Sequence, residues 1–416
     1  MTRFCIRNGL LLTVLLVQAC GSKTGTEPVS TRLLPAIAGA GSAEPHLART
    51  PNGDIVMSWL EPEGDRMALR VSTLSGDAWQ TPVTVASGEN WFVNWADFPS
   101  VVPIDETLWA AHWLARTAGG VYSYDVAISL SNDAGRTWGE PLTPHDDGTP
   151  TEHGFVTLFP WSGAVGAIWL DGRNMAGRLH GETAEDSHGG GMTIRSAVIE
   201  SDGSIRNPQI VDDLVCDCCQ TDVSVTASGP VAVYRNRTDR EIRDIHVVSS
   251  RDGEWLEDQP VADDGWKIAA CPVNGPAIDS HRDTTAVAWF TAPEDDTKVR
   301  IAWSSDAGRS FAKPVDVDID KPIGRVDVEL LDDDSAIISW LRAGKDNRGE
   351  ICLRHVRTSG AAGEVAVIAT TGANRSSGFP QMIRQGRALV LAWTDTAGDT
   401  SRVVSARVDI QSLTQQ

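Results

Sequence analysis

Tyrosine is nearly absent from this chain: three residues in 416, beside fifteen tryptophans. Any chemistry that needs a phenolic hydroxyl therefore has few places to reside. Basic residues are also in deficit. Thirty-six Lys and Arg against 56 Asp and Glu leave a formal net charge of −20, which excludes nucleic acid and other polyanions as partners. Long apolar runs are missing beyond the first twenty residues, which excludes a later membrane-spanning helix. Cysteine is sparse, with seven in all, but three of the seven fall within four positions, in VCDCCQTD (215–222). Few long helical periodicities compete with the short apolar strands that fill the chain.

The N-terminus sets the expected compartment. MTRFCIRNGLLLTVLLVQACGS places Arg3 and Arg7 ahead of a short apolar run over 9–17, then Ala19 before Cys20. The run is too short to span a bilayer comfortably, and its flanks are those of an export signal. VQAC followed by Gly21 and Ser22 resembles a bacterial lipobox. The resemblance implies cleavage before Cys20, lipidation of its thiol and an exported lipoprotein, held at the outer membrane or facing the periplasm. An ordinary signal peptide with a chance cysteine is the alternative. On this reading residues 1–20 are signal and 21–28 a tether, and the membrane is touched only through the lipid. Export permits disulfides. Five cysteines remain after Cys5 and Cys20, an odd number, so at least one thiol is free or bound to something else.

The tryptophans are periodic. Aligning VMSWL (56–60), AAHWL (110–114), GAIWL (166–170), VAVYR (231–235), AVAWF (286–290), IISWL (337–341) and VLAWT (390–394) anchors the repeat on Trp59, Trp113, Trp169, Tyr234, Trp289, Trp340 and Trp393, at spacings of 54, 56, 65, 55, 51 and 53 residues. Such a period in short strands separated by turn residues marks an all-β fold, a β-propeller of four-stranded blades. The count favours seven blades, with six as the alternative. The seventh unit has three strands, and VSTRLLPAIA (29–38) resembles its missing outer strand, so the N-terminal strand is expected to close the ring and remove an open edge. A single domain over 29–412 follows.

Two turns are sharper. SNDAGRTW (131–138) and SSDAGRSF (304–311) share Ser-x-Asp-x-Gly-x-Thr/Ser-aromatic. Asp133 and Asp306 suit bonding of turn amides, Gly135 and Gly308 permit positive φ, and Trp138 and Phe311 pin the turn to its blade. In these boxes the chain resembles the sialidase superfamily of Asp-box (BNR-repeat) propellers, over essentially all of 30–412. The resemblance implies a site on the opposite face, formed by loops that enter each innermost strand and leave each second strand.

Those loops carry Glu44, His46, Trp91, Trp95, Asp97, Glu152, His153, VCDCCQTD, Trp266, CPVNGP (271–276), Arg325 and Arg375, together with Asp171, Arg173, Arg235, Arg237 and Arg342. The candidate ligand-binding set is Arg173, Arg235, Asp171, Asn274, Trp95 and His153: arginines fork onto carboxylates, and off-register indoles suit sugar stacking. Residues 174–191 are glycine-rich, carry His180 and His188, and hang over the same face as a lid or a plain surface loop.

VCDCCQTD enters the fourth innermost strand and CPVNGP the fifth, so Cys271 is expected to approach Cys216, Cys218 or Cys219. A disulfide clamp from Cys271 to Cys216 or Cys219 is one reading. The other is a zinc or copper site on the four thiolates. No cofactor is otherwise required. Cys352 reads as a buried apolar residue.

Sialidases of the superfamily use an arginine triad, a Tyr–Glu nucleophile pair and an aspartate acid/base. Here the early Arg-Ile-Pro motif is absent. Tyr234 sits in the tryptophan register, and Tyr122 and Tyr124 begin a strand of the second unit rather than a late one. Sialidase activity proper is not expected. Two classes of function stand: a glycan-handling hydrolase or lectin-like site for a carbohydrate or another small acidic ligand, and a non-catalytic scaffold or metal/thiol module. A monomer is expected in either case.

Overall fold

The computed structural model describes residues 1, 29–118, 120–176, 191–331 and 334–415. The signal, lipobox and tether, and all of the 174–191 insertion but its ends, lie outside the described residues. The rest forms seven antiparallel blades around one axis. Blade 1 comprises Ala43–Arg49, Ile55–Glu63, Arg66–Ser75 and Val83–Gly88; blade 2 comprises Ser100–Pro103, Trp109–Arg116 and Tyr124–Ser131, with an outer bridge at Leu142. Blade 3 comprises His153–Trp161, Ala164–Asp171, Met192–Ile199 and Ile205–Val215; blade 4 comprises Asp222–Thr226, Gly229–Arg235, Ile245–Arg251 and the short Gln259–Pro260. Blade 5 comprises Ala277–His281, Thr284–Thr291, Lys298–Ser304 and Val315–Asp318; blade 6 comprises Pro322–Leu330, Ser335–Ala343, Arg348–Arg357 and Ala366–Gly372. Blade 7 comprises Gln381–Gln385, Ala388–Asp395 and Arg402–Asp409.

The repeat has a chemical reason. Trp59, Trp169, Trp289 and Trp340 are among the largest fully buried side chains, and a buried indole N–H needs an acceptor. Each finds a carboxylate: Glu61 at 2.9 Å, Asp171 at 3.0 Å, Asp264 at 2.7 Å and Asp318 at 2.6 Å. Tyr234, in the same register, donates its hydroxyl to Asp212 at 2.6 Å. A second series clasps neighbouring innermost strands. Asp222 of blade 4 accepts the Ile278 amide of blade 5, Asp279 accepts Leu330 of blade 6, and Asp327 accepts Met382 of blade 7, at 2.8, 2.8 and 2.7 Å. These bonds replace the ladder hydrogen bonds that separate sheets lack near the axis.

Ring closure is as the sequence suggests. Thr31–Leu33 pairs antiparallel with Ala406–Val408 of blade 7, and Leu34 and Ala38 pack with Trp59 and Trp79 of blade 1 and Val390 of blade 7. Removal of residues 29–38 deletes the strand and the buried Leu34, itself worth about 2–5 kcal/mol. A fall in melting temperature of roughly 10 °C is expected in a domain of this size; unchanged melting would contradict closure.

The two aspartate turns lie between third and outer strands of blades 2 and 5. Asp133 Oδ1 accepts the amides of Arg136 and Thr137, and Asp306 Oδ1 that of Ser310. Gly135 and Gly308 have φ of +76° and +79°, and a Cβ would fall 2.6 Å from the Trp109 ring or 2.8 Å from Val231 Cγ1. Trp138 and Phe311 pack on blades 2 and 5 as expected. Among the described residues no helix is long and apolar enough to cross a membrane.

Candidate functional site: the channel mouth

Backbone strain recurs where chains enter the innermost strands. Glu44, Phe155 and Arg325 adopt φ of 56°, 50° and 57°, each inside a register shift of blade 1, 3 or 6. Such bulges re-aim side chains at the rim of a sheet. Val273, β-branched at φ 49°, is a stronger outlier still. The strands enclose an axial cavity of about 110 Å³ lined by His46, Asp97, Gln220, Asp327 and Phe379, among others.

VCDCCQTD and CPVNGP meet beside this axis. Gln220 donates to the Ala96 carbonyl at 2.5 Å and accepts the Gly275 amide at 3.0 Å, tying three blades. A Cβ on Gly275 would sit 2.2 Å from the Gln220 carbonyl oxygen, so this close approach demands glycine. All five described cysteines are free thiols. Cys216, Cys218 and Cys219 bring their sulfurs within 4.8 Å of one another, with 3.5 Å between Cys216 and Cys219. Cys271, exposed, reaches Cys218 as a hydrogen-bonding neighbour. Three of the four sulfurs are therefore gathered, and the fourth stands at their solvent side.

The cluster is built for anionic sulfur. Arg243, 3% exposed, donates to Cys216 Sγ at 3.3 Å and is braced by Glu241 at 2.8 Å. Glu241 also receives Arg237, which pairs with Asp217 at 3.2 Å. Burial alone would raise the Cys216 thiol, yet hydrogen bonds from Cys218 and Cys219 and the charges of Arg243 and Arg235 outweigh it and hold Cys216 well below the usual thiol range. Bonding to Cys216 and Cys219 raises Cys218 far above that range, and burial pushes Cys219 up to about 12. Thiols bonded to one another and to an arginine share protons that a soft cation can replace.

The candidate arginines do not form an open carboxylate clamp. Arg235 is 1% exposed and points into the protein. Its guanidinium donates to the carbonyls of Asn274 (2.7 and 3.0 Å), Arg243 (2.7 Å) and Phe290 (2.8 Å) and lies 4.8 Å above the Trp266 ring. Asn274 is likewise turned inward, accepting the Arg325 amide at 2.8 Å. Arg325 donates to Ser377, Gly378 and Asn374, and Arg342 pairs with Glu350 at 2.8 Å. Both Arg235 and Asn274 thus join blades rather than facing a ligand, a correction to the expectation. Trp266 serves as the floor under Arg235, and Trp91 stacks on Trp113 at 5.3 Å, so neither is an open sugar platform. Trp95 differs: half-buried, it stacks on Phe379 with Arg325 and exposed Arg375 at 4.8 and 5.9 Å.

His153, Asp171 and Arg173 do come together, with residues the sequence reading passed over. Arg173 forks onto Asp171 at 2.7 and 2.7 Å and reaches Asp147 at 3.1 Å. His153 stacks on His145 at 3.9 Å. The signal available was the run of donors in HDDGTPTEH (145–153), close to Asp125 once the blades fold.

Several buried carboxyls at the mouth and axis hold protons unusually tightly. Burial raises Asp97 to about 7, Asp222 to about 6 and Asp327 to about 8; burial, then Asp217 and Asp97, raises Glu152 to about 8. In the unfolded chain such groups ionise near pH 4. Between those limits the folded state binds more protons, so unfolding free energy falls as pH rises through the folded values. Cys216 and Cys271, both held below the usual thiol range, act in the opposite sense. So do His46, His112 and His145, whose burial lowers them, up to the unfolded histidine value of about 6.5. Melting temperature should therefore decline from about pH 7 to about pH 8.5, and Asp327→Asn should flatten the decline. A rising profile would contradict these protonation states.

No protein-family model matches the chain, and no curated protein matches its sequence. Solved structures do resemble it. A PL25 ulvan lyase, determined bound to -[GlcA(1-4)Rha3S]-, shares 11% identity at a TM-score of 0.56, covering 89% of this chain and 95% of that one. A protein of unknown function from Dyadobacter fermentans shares 13% identity at 0.51, covering 92% and 98%. A Mycobacterium tuberculosis puromycin-hydrolyzing peptidase shares 14% at 0.51; 92% of this chain covers 55% of the peptidase. At these identities the common property is the propeller.

Proposed function

We propose that this protein is an exported, lipid-anchored propeller that holds and exchanges a soft d10 cation, Cu⁺ or Zn²⁺, on Cys216, Cys218, Cys219 and Cys271. The observation that carries this reading is the convergence of three sulfurs within 4.8 Å, beside an arginine that stabilises thiolate. A single disulfide leaves two sulfurs over, and a complete pairing takes two bridges, Cys216–Cys219 with Cys218–Cys271 by proximity, whereas one cation takes all four. The ligands are all sulfur, which selects Cu⁺ or Zn²⁺ over harder ions. Buried Cys216 and Cys219 would anchor the ion, half-buried Cys218 would complete the cradle, and exposed Cys271 would give it a route in and out. The nearby guanidiniums of Arg243 and Arg237 would offset the negative charge of a thiolate complex.

Metal analysis with thiol counting on the purified mature protein tests this. About one sulfur-bound Cu or Zn per chain is expected, shown by four thiols that stay protected until a chelator is added. Metal-free protein with Cys271 paired to Cys216 or Cys219 in peptide maps would establish the disulfide clamp instead.

A second reading, binding of an acidic carbohydrate, is favoured by one feature: the half-buried Trp95 indole flanked by exposed Arg375. The carbohydrate-bound propeller neighbour is consistent with it. Sialidase turnover is not part of either reading, because Arg173, Arg235, Arg325 and Arg342 bond to protein acceptors.

A further inference from the structure

The stacked imidazoles between blades 2 and 3 present an unusual arrangement of lone pairs. His153 begins the innermost strand of blade 3, His145 and Asp147 lie in the connection leading to it, and Asp125 is the second residue of the third strand of blade 2. On one side of the stack, Asp147 Oδ2 lies 3.1 Å from His153 Nε2 and 3.3 Å from His145 Nδ1. Asp147 is itself fixed by the Thr149 amide at 2.9 Å and by Arg173 at 3.1 Å. A carboxylate accepts, so both imidazoles turn N–H toward Asp147. That choice of tautomer leaves a lone pair on His153 Nδ1 and another on His145 Nε2.

Both of those nitrogens are buried, and neither has a hydrogen-bond partner among the described residues. Both lie beside Asp125 Oδ1, which is 3.4 Å from His153 Nδ1 and 3.8 Å from His145 Nε2; the stacked rings are 11° apart, so an ion shared by both would splay them. Three acceptors thus converge with no donor between them, on side chains that are 0% and 3% exposed for the histidines and 32% for the aspartate. Buried unpaired acceptors cost free energy unless something positive sits among them. The surrounding charge leaves room for it: Asp125, Asp147 and Asp171 face the two guanidiniums of Arg173 and Arg195.

We infer that His145 Nε2, His153 Nδ1 and Asp125 Oδ1 form a second metal site, for a first-row divalent cation of the zinc type. Ligand bonds of about 2.0–2.1 Å in a tetrahedron require donor separations near 3.4 Å, the scale observed here. Asp147 is the outer carboxylate that orients metal-bound histidines. The partial exposure of Asp125 leaves the fourth position open toward the channel face, where a water or a ligand oxygen can complete the shell. With nitrogen and oxygen donors only, this site is chemically distinct from the sulfur cluster and does not depend on it.

Co²⁺ titration of the full mature chain tests the inference, because sulfur-bound cobalt shows a thiolate charge-transfer band and nitrogen/oxygen-bound cobalt does not. Replacing Cys216, Cys218 and Cys219 together by Ser should lose that band and keep one equivalent of cobalt with weaker ligand-field absorption. His145→Ala and Asp125→Asn should keep the band and lose that equivalent, with Zn²⁺ affinity at this site falling at least about tenfold. Asp125→Asn preserves shape, so its thermal melt in the presence of chelator should match that of the parent and separate ligand loss from misfolding. If Asp125→Asn and the parent bind the same number of equivalents with equal affinity, or if the triple serine variant binds no cobalt at all, the inference is overturned.

Discussion

Cys216→Ser is expected to abolish binding of Cu⁺ or Zn²⁺ at the channel mouth and to remove the stabilisation that the ion confers. Cys216 is the sulfur on which the others converge. It lies 3.5 Å from Cys219, accepts Arg243 at 3.3 Å and is 1% exposed. Serine keeps the volume but offers a hard hydroxyl that does not ionise at neutral pH, so both the charge and the softness of the donor are lost. Since losing a second-shell partner already costs 10–100-fold in metal affinity, loss of this ligand should exceed about 100-fold. At an ion concentration near a thousand times Kd, binding stabilises the fold by about 4 kcal/mol. Removal of Cu⁺ with a copper(I)-selective chelator should therefore lower the melting temperature of the parent and leave Cys216→Ser unmoved. Cys352→Ala provides the contrast: buried in blade 6, it should lose packing without losing metal. Equal metal affinity in parent and Cys216→Ser would exclude the sulfur site.

Arg235→Met should be among the most destabilising single substitutions in the chain. The guanidinium serves the carbonyls of Asn274, Arg243 and Phe290 and covers the face of Trp266. Methionine fills part of the space and leaves three buried carbonyl oxygens unpaired, each costing about 1–3 kcal/mol. A total near 4 kcal/mol is expected, in the range reserved for broken buried networks. Lysine should rescue little, because three carbonyls set around a planar fork suit no single ammonium. Because Asn274 belongs to CPVNGP, the same substitution should also loosen Cys271. Urea unfolding decides it: a loss under 1 kcal/mol, with acidic-ligand binding abolished, would restore Arg235 to the binding face.

The architecture was legible because its cause is periodic. A buried indole needs an acceptor near it, so Trp59 with Glu61 and Trp169 with Asp171 repeat as readable pairs. The closing strand was legible because a three-stranded last unit leaves an edge, and Leu34 supplies the apolar residue to cover it. Adjacency of VCDCCQTD and CPVNGP followed from their places before neighbouring strands, and the Gly275 approach to Gln220 agrees with it.

Side-chain direction was not legible. Arg235 stands at a strand end on the mouth face, where sequence position alone is compatible with solvent. Its inward turn depends on carbonyls from blade 5 and the bulge-bound Asn274, which no local pattern encodes. Trp266 was read as a platform for the same reason, since an off-register indole looks alike whether it meets a sugar or a guanidinium. Asp125 escaped notice because only the packing of blade 2 against blade 3 joins it to His153, and His145, although in the same short connection as His153, escaped because nothing local shows that the two rings stack.

X-ray absorption at the metal K-edge, on the protein loaded with one equivalent of Cu⁺ or Zn²⁺, tests the central claim most directly. The account predicts a first shell of three or four sulfur scatterers, at about 2.3 Å for zinc, that collapses in Cys216→Ser. A shell of nitrogen and oxygen alone, or a chain that binds no metal because its cysteines are paired as disulfides, would contradict it.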